Sequence, residues 1–375
     1  MKSSDGYEIY VHIPFCVKKC DYCDFVSFAC SDSEKEAYFK ALINQIDSMK
    51  ETVGETPIVS CFFGGGTPTV PDERLLISSL CKLKETFNFT EDAEISMEAN
   101  PNSATYEKFK AYRKAGINRL SIGLQSTENS ELKCLSRLHT YEEFLKTFDD
   151  ARQAGFDNIN IDIMSALPKQ TIESYEKTLE RVCGLNPEHI SAYSLIIEEG
   201  TPFFERYSGG KGLPDEDTER EMYYLSKRYL HEHGYERYEI SNYSKPGYEC
   251  RHNLGYWKRV PYYGFGIAAA SFYGGKRYQT HSDLKRFIEN DFKADIEELT
   301  RDDSMAEFMF LGLRLTEGVT RKAFFDNFGE DMDDVYGPEL KKLESEGLLI
   351  NGERIYLTDK GMDVANYCMS EFIKG

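Results

Sequence analysis

Three cysteines in the segment Tyr10-Val-His-Ile-Pro-Phe-Cys-Val-Lys-Lys-Cys-Asp-Tyr-Cys-Asp-Phe25 stand at C-x3-C-x2-C spacing: Cys16, Cys20 and Cys23. Thiolates packed this tightly in one loop point to metal rather than to a disulfide framework. Zinc sites usually take four ligands in paired arrangements, and no second Cys or His pair follows at zinc-finger distance. A [4Fe–4S] cluster ordinarily takes four thiolates. Three thiolates leave one iron open to an outside ligand, so an iron–sulfur cluster is the leading reading and zinc the alternative. The other seven cysteines are scattered along the chain. Cys61 in an apolar run and Cys134 in a helical stretch read as small buried hydrophobes.

The elements that must position this loop are legible as a period. Apolar runs at Ile9–Phe15, Ile58–Phe63, Ile95–Ala99, Arg119–Gln125, Asn158–Met164 and Ile190–Ile197 alternate with helical patterns at Ser33–Lys50, Asp72–Thr86, Tyr106–Ala115, Tyr141–Ala154 and Ile172–Cys183. Two of these helices run into Gly116 and Gly155, where a left-handed cap is easy. Strand–helix alternation implies parallel βα units. A complete eight-stranded barrel takes about 250 residues, and the alternation stops near residue 200. The expected fold class is therefore α/β, a partial (β/α)6 barrel, with functional groups at the C-terminal ends of the strands. The notable residues fall there: the Cys16–Cys23 loop, the run Gly64-Gly65-Gly66-Thr67-Pro68-Thr69, Glu98, Gln125 and Asp162. Glycines let backbone approach a ligand closely, whereas a Gly run by itself is most often a turn.

Beyond the barrel, Ser208–Asp217 reads as a surface loop, followed by a helix Asp217–His233 and an irregular stretch. From about Asp302 come three helices, a hairpin at Leu348–Leu357 around Asn351-Gly352, and a last helix. The expected domains are a barrel over 1–205, an extension and connecting region over 206–300, and a smaller C-terminal α+β winged-helix-like domain over 301–375. Residues 301–375 carry 9 basic and 16 acidic residues, a net charge of −7, which argues for a lid or docking role over DNA binding.

The 375 residues are 41% hydrophobic, enough for one large domain and a smaller one. A net charge of −19 argues against a non-specific nucleic-acid binder, which needs Lys and Arg to displace counterions. No run of eighteen apolar residues exists, so no integral membrane segment is expected. The short polar start, Met1–Glu8, reads as no targeting signal, and the expected compartment is the cytoplasm.

The cysteine spacing, with Tyr22 before the third cysteine, resembles the radical S-adenosylmethionine (SAM) superfamily. That resemblance implies a [4Fe–4S] cluster on Cys16, Cys20 and Cys23 whose open iron takes the methionine amine and carboxylate of SAM. The chemistry it implies is one-electron cleavage of SAM to a radical that abstracts hydrogen. The runs Tyr10–Cys16, Gly64–Thr69, Ser96-Met-Glu-Ala-Asn-Pro101, Ile122-Gly-Leu-Gln-Ser126 and Asn160-Ile-Asp162 resemble the coproporphyrinogen dehydrogenase group over nearly the whole chain. Position by position, this implies a SAM site of Tyr10, Tyr22, Gly65, Gly66, Thr67, Glu98, Gln125, Arg137 and Asp162. Arg137 suits a carboxylate through a charge-assisted pair.

Two branches of that group divide on local features. The oxygen-independent dehydrogenase branch has a fourth Cys where this chain has Phe25, and several dozen residues before the tyrosine where this chain has nine. The chain is instead similar to the HemW-type heme chaperones, which carry an H-N-x-x-Y-W motif. It is present here as His252-Asn253-Leu254-Gly255-Tyr256-Trp257, with the single Trp of the chain. An imidazole can ligate heme iron and aromatics can pack on a porphyrin face. The expected heme contacts are therefore His252, Tyr256 and Trp257, with Cys250 a weaker candidate. The resemblance implies heme as cargo and an acceptor hemoprotein, respiratory ones among the candidates, as partner. The alternative is the enzyme that turns coproporphyrinogen III into protoporphyrinogen IX.

Overall fold

The computed structural model describes residues 6–373. Met1–Asp5, most of the segment read as carrying no targeting signal, and the last two residues lie outside them. Six parallel strands follow one another in chain order: β1 (Tyr7–Ile13), β2 (Pro57–Gly65), β3 (Asn88–Ala99), β4 (Arg119–Gln125), β5 (Ile159–Ser165) and β6 (His189–Ser194). Each is followed by helical chain: Asp32–Ser48, Glu73–Thr86, Tyr106–Ala115, Tyr141–Gln153, Ile172–Gly184 and Glu216–Glu232. The partial (β/α)6 barrel with a smaller C-terminal domain is what the alternation predicts. Most helices start on a side-chain cap, as at Ser31, Thr140 and Thr171, whose hydroxyls accept backbone N–H groups.

The strands are two-faced. Ile9, Val11, Ile13, Phe63, Ile95, Met97, Leu120, Ile122, Ile161 and Ile190 point outward and are buried under the helices. Their neighbours in sequence point inward: Tyr10, Phe62, Glu98, Arg119, Ser121, Asn160, Asp162 and Ser191 line a cavity inside the barrel. Period-two alternation thus separates an apolar core outside the sheet from a polar wall inside it.

The stretch read as irregular continues the sheet at both edges. Tyr262–Phe265 pairs parallel with β1, and Ala270–Tyr273, Lys276–Thr280 and Ala294–Glu298 extend it antiparallel. At the other edge Asn242–Ser244 runs antiparallel to β6. These strands have three to five residues, too short to show a period, and their attachment to β1 and β6 is long-range. The C-terminal part has its own core of Met309, Phe324, Leu340, Leu343, Ile355 and Phe372. It holds helices Arg301–Gly312, Arg321–Phe328 and Met332–Ser345 and a three-stranded sheet containing the hairpin Leu349–Asn351/Arg354–Leu357. Among the described residues no helix is long and apolar enough to cross a membrane.

Ile161 is fully buried on the outer face of β5. Ile161→Ala should lower the unfolding free energy by about 2–5 kcal/mol, read as a lower denaturant midpoint at unchanged slope; a loss under ~1 kcal/mol would mean that this face is not a packed core.

Candidate functional site

The cysteine loop leaves the C-terminal end of β1 and is tied down by backbone. Cys16 N–H donates to Phe28 O (2.9 Å), Phe28 N–H to Pro14 O (2.7 Å) and Cys23 N–H to Cys20 O (3.1 Å). His12 is a brace rather than a ligand: its Nε2 meets Val26 O at 2.8 Å and its Nδ1 the Tyr10 hydroxyl at 3.1 Å. Arg206 pairs with Asp21, fastening the loop to a helix beyond β6. The loop leaves Val17 and Phe25 exposed, 67% and 69% respectively.

The glycine run lies against this loop. Gly66 N–H donates to Ile13 O (2.9 Å) and Thr67 N–H to Phe15 O (2.8 Å). A Cβ on Gly66 would stand 2.8 Å from Ile13 O, Phe15 N and Phe15 O, all backbone atoms that cannot step aside. Gly65, at φ 106°, sits on the His12 ring, 2.4 Å from where its Cβ would be. The run is therefore a close backbone approach between two strand ends, not a simple turn.

Around the cysteines the structure gathers the predicted polar groups. Arg137 Nη1 lies 3.7 Å from Cys20 Sγ, while its Nη2 donates to Asn100 Oδ1 (2.7 Å) and Gly123 O (2.6 Å). Thr67 Oγ1 accepts from Asn100 Nδ2 (2.7 Å) and lies 3.5 Å from Cys16 Sγ. Glu98 accepts from Gly65 N–H at 3.2 Å. Asp162 accepts from Ser121 Oγ (3.1 Å) and Asn160 Nδ2 (2.7 Å). Gln125 leaves β4 at φ 74°, a left-handed conformation uncommon outside glycine, and accepts from the Tyr193 hydroxyl at 3.0 Å. Tyr22 packs on Phe203 with ring centroids 6.2 Å apart.

Tyr10, Tyr22, Cys23, Gly65, Glu98 and Asp162 open onto one cavity of about 580 Å³, within the range of small-molecule sites. Burial pushes Glu98 up to about 8, helped by the nearby Asp162 charge and opposed by Gly65 N–H. Burial also raises Asp162, against its bonds from Asn160, Ser191 and Ser121. Two carboxyl groups held out of water at the cavity wall are ready acceptors for ligand hydroxyls.

The cysteine sulfurs suit a cluster. All three are free thiols at intermediate burial, with a guanidinium beside one and a hydroxyl beside another. Among the described residues no group of three or more His, Cys, Asp or Glu side chains is arranged to hold a single metal ion. A cuboidal cluster asks for something different, because each thiolate takes a separate iron. The donor set, the adjoining cavity and the glycine cradle fit a [4Fe–4S] cluster with SAM.

The chain matches the family model described as Radical SAM superfamily over residues 10–182 and the HemN C-terminal domain over 299–364. It is 36% identical over 372 residues to the heme chaperone HemW of Bacillus subtilis, covering 97% of this chain and 98% of that protein. It is 34% identical to the heme chaperone HemW of Escherichia coli, covering 91% of each. The chain belongs to the HemW family of heme chaperones. It shares its fold with coproporphyrinogen III oxidase (HemN) of E. coli, at a TM-score of 0.87 and 24% identity over 98% of this chain.

The HemW-type motif does not form one open face. Its residues make the helix Arg251–Trp257, which closes the N-terminal end of the barrel. Glu94 of β3 caps that helix, accepting from Arg251 N–H (2.9 Å), His252 N–H (3.4 Å) and Cys250 Sγ (3.5 Å). Cys250, considered as an axial ligand, is thus buried and engaged. His252 is 1% exposed; its Nδ1 meets Ser60 Oγ at 2.8 Å and its Nε2 the Tyr256 hydroxyl at 3.1 Å, so both nitrogens are occupied. Burial and the Arg119 charge push His252 down to about 3, keeping the imidazole neutral. His252, Asn253 and Tyr256 line the barrel cavity. Trp257 does not: it packs on Arg314, 4.2 Å from ring centroid to guanidinium carbon, beside a second pocket of about 220 Å³ against the C-terminal domain. Tyr256 is the partition between the two cavities.

Tyr193, Ser121 and Glu94 carry no sequence motif, and Asn100 and Asn160 stand in motif runs without an expected role, yet each holds a residue that has one. Their signal was faint: polar side chains at the inward positions of strands or just past their ends.

The Glu98 carboxyl releases its proton near 8 in the folded chain and near 4.5 in the unfolded one. Its contribution to stability is therefore full below about 4.5 and is lost as pH rises through about 8. Glu98→Gln, neutral throughout, should remove that loss in cofactor-free protein. Its unfolding free energy relative to wild type should climb by up to about 1.4 kcal/mol per pH unit across this window; a pH-independent difference would mean that Glu98 ionises freely.

Proposed function

We propose that the chain binds heme and hands it to an acceptor hemoprotein in the cytoplasm, holding a [4Fe–4S] cluster on Cys16, Cys20 and Cys23 with SAM beside it. The observation that carries this reading is full-length membership of the HemW family together with an intact cluster loop and an intact His252–Trp257 motif. Ten free cysteines suit a reducing compartment.

When bound, the cluster and SAM supply one-electron chemistry; the chain's own side chains position and shield. Arg137 holds a positive charge against the Cys20 sulfur and is itself fixed by Asn100 and Gly123. Glu98 and Asp162 would accept the ribose hydroxyls of SAM, with Tyr193 fixing Gln125 beside them. Tyr22 and Phe203 form an apolar wall that keeps water from the loop. His252 would hold heme iron through Nε2, in the neutral form that ligation needs. To reach iron, that nitrogen has to release the Tyr256 hydroxyl, which already faces the cavity.

Anaerobic titration with heme, run beside a coproporphyrinogen III turnover assay, tests the reading. Stoichiometric heme binding without protoporphyrinogen is expected; turnover without heme retention would make the chain the porphyrin-forming enzyme instead. Cys20→Ala should remove the visible absorption of the reconstituted cluster, and an unchanged spectrum would refute that ligand assignment.

Replacing the partner of Nε2 probes the axial ligand. Tyr256→Phe should tighten heme binding by about fivefold, the worth of one neutral hydrogen bond, and His252→Ala should abolish the ligated Soret band. Weaker binding in Tyr256→Phe with an unaltered band in His252→Ala would remove His252 from the heme.

A further inference from the structure

Arg119 has entered so far only through its charge, which helps to keep His252 neutral. It opens β4, its side chain is 2% exposed, and it lines the 580 Å³ cavity. No hydrogen bond or ion pair joins its side chain to any described residue, and its Nε is buried without a partner. The carboxylates whose charge reaches it are Glu94 and Asp162, and neither makes contact. Glu94 is taken up by the cap of helix Arg251–Trp257 and by Ser96 Oγ (3.1 Å), and Asp162 by Ser121 and Asn160. A guanidinium stays charged in any protein environment. Buried without a partner, it is strongly unfavourable, and its planar fork matches a carboxylate. The missing partner has to come from what enters the cavity.

Two molecules could bring a carboxylate. The methionine end of SAM belongs at the cysteine loop, at the C-terminal end of the strands. Arg119 is the first residue of the seven-residue β4, roughly 20 Å along the strand from its far end. The SAM carboxylate is therefore out of its reach. Near Arg119 the cavity wall is polar: Ser121, Asn160, Asn242 and Asn253. Toward the cysteine loop it carries Glu98 and Asp162 together with the apolar Met164, Leu195, Ile196 and the exposed Phe25. A cavity of mixed apolar and polar lining with an unpaired guanidinium toward one end fits a flat amphiphile that carries carboxylates on one edge, and it is the cavity that His252 faces.

We infer that Arg119 is the anchor for a propionate of the tetrapyrrole, bound carboxylate-first in the barrel. This rests on the reading of the chain as a heme binder. It adds a binding residue outside the His252–Trp257 motif and gives the cargo an orientation.

The test is equilibrium titration of the anaerobically reconstituted protein with heme and with heme dimethyl ester, in wild type, Arg119→Gln and Arg119→Lys. Wild type should prefer the free acid by about 10- to 100-fold, the worth of a charge-assisted pair. Arg119→Gln should bind acid and ester alike, near the wild-type affinity for the ester, and Arg119→Lys should keep part of the preference. SAM affinity should be the same in wild type and Arg119→Gln. The comparison of acid with ester in wild type needs no variant, so misfolding of Arg119→Gln cannot mask the result. Equal binding of acid and ester by wild type, a preference retained in Arg119→Gln, or a matching loss of SAM affinity would each overturn the anchor while leaving heme binding intact. Absence of heme binding by wild type would overturn the heme reading and the anchor with it.

Discussion

A parallel sheet buried on both faces ordinarily reads as continuous apolar strands, because a polar group out of water needs a partner. Here the six central strands are uniformly apolar only on the face under the helices. Their inner face carries Glu8, Tyr10, His12, Ser60, Glu94, Glu98, Arg119, Ser121, Asn160, Asp162, His189 and Ser191, two thirds of them buried and the rest half-buried. The rest of the molecule follows from satisfying that wall. Part of it is satisfied internally, as where His189 bridges Asn160 Oδ1 (2.6 Å) and the Tyr238 hydroxyl (2.7 Å). Part of it is left facing the cavity, open to partners from outside the chain. A barrel filled by branched apolar side chains would be a core; this one is a container.

The two ends of the container are closed by different means. At the C-terminal end the cysteine loop is held by main-chain hydrogen bonds to the ends of β1 and β2, through Gly66 and Thr67. Backbone bonds fix its position without consuming the cysteines, which remain free thiols. At the N-terminal end the helix Arg251–Trp257 is a plug whose first turn is neutralised by the buried Glu94 carboxylate. Gly255 makes this closure possible, since a Cβ there would stand 2.0 Å from a Glu8 carboxylate oxygen.

The same plug couples the barrel to the C-terminal domain. Trp257 stacks on Arg314, and just beyond the helix Arg259 meets the buried Glu307 at 3.1 Å, with Arg277 reaching the same carboxylate at 2.6 Å. Phe272 lies between the two guanidinium groups, 5.2 and 5.8 Å from them. A buried, doubly paired carboxylate adds little net stability but penalises any arrangement that separates its partners. The C-terminal domain is thereby held in register with the helix that carries His252.

What the sequence determined by itself was local: the cysteine triplet, whose spacing is a covalent fact; the strand and helix periods, which report which face each element buries; and the caps that end the helices. Strand β4 and helix Tyr106–Ala115 have the bounds their periods predict. Tertiary structure alone decided how polar groups are shared. No local rule shows that His252 and Trp257, five residues apart, face different cavities; that a glutamate from β3 caps a helix more than 150 residues later; or that one buried arginine has no partner. These outcomes depend on which side chains distant strands bring within 3 Å of each other. The sequence encodes that only through the packing of the whole sheet, because hydrogen bonds are decided by distances that periodicity does not carry.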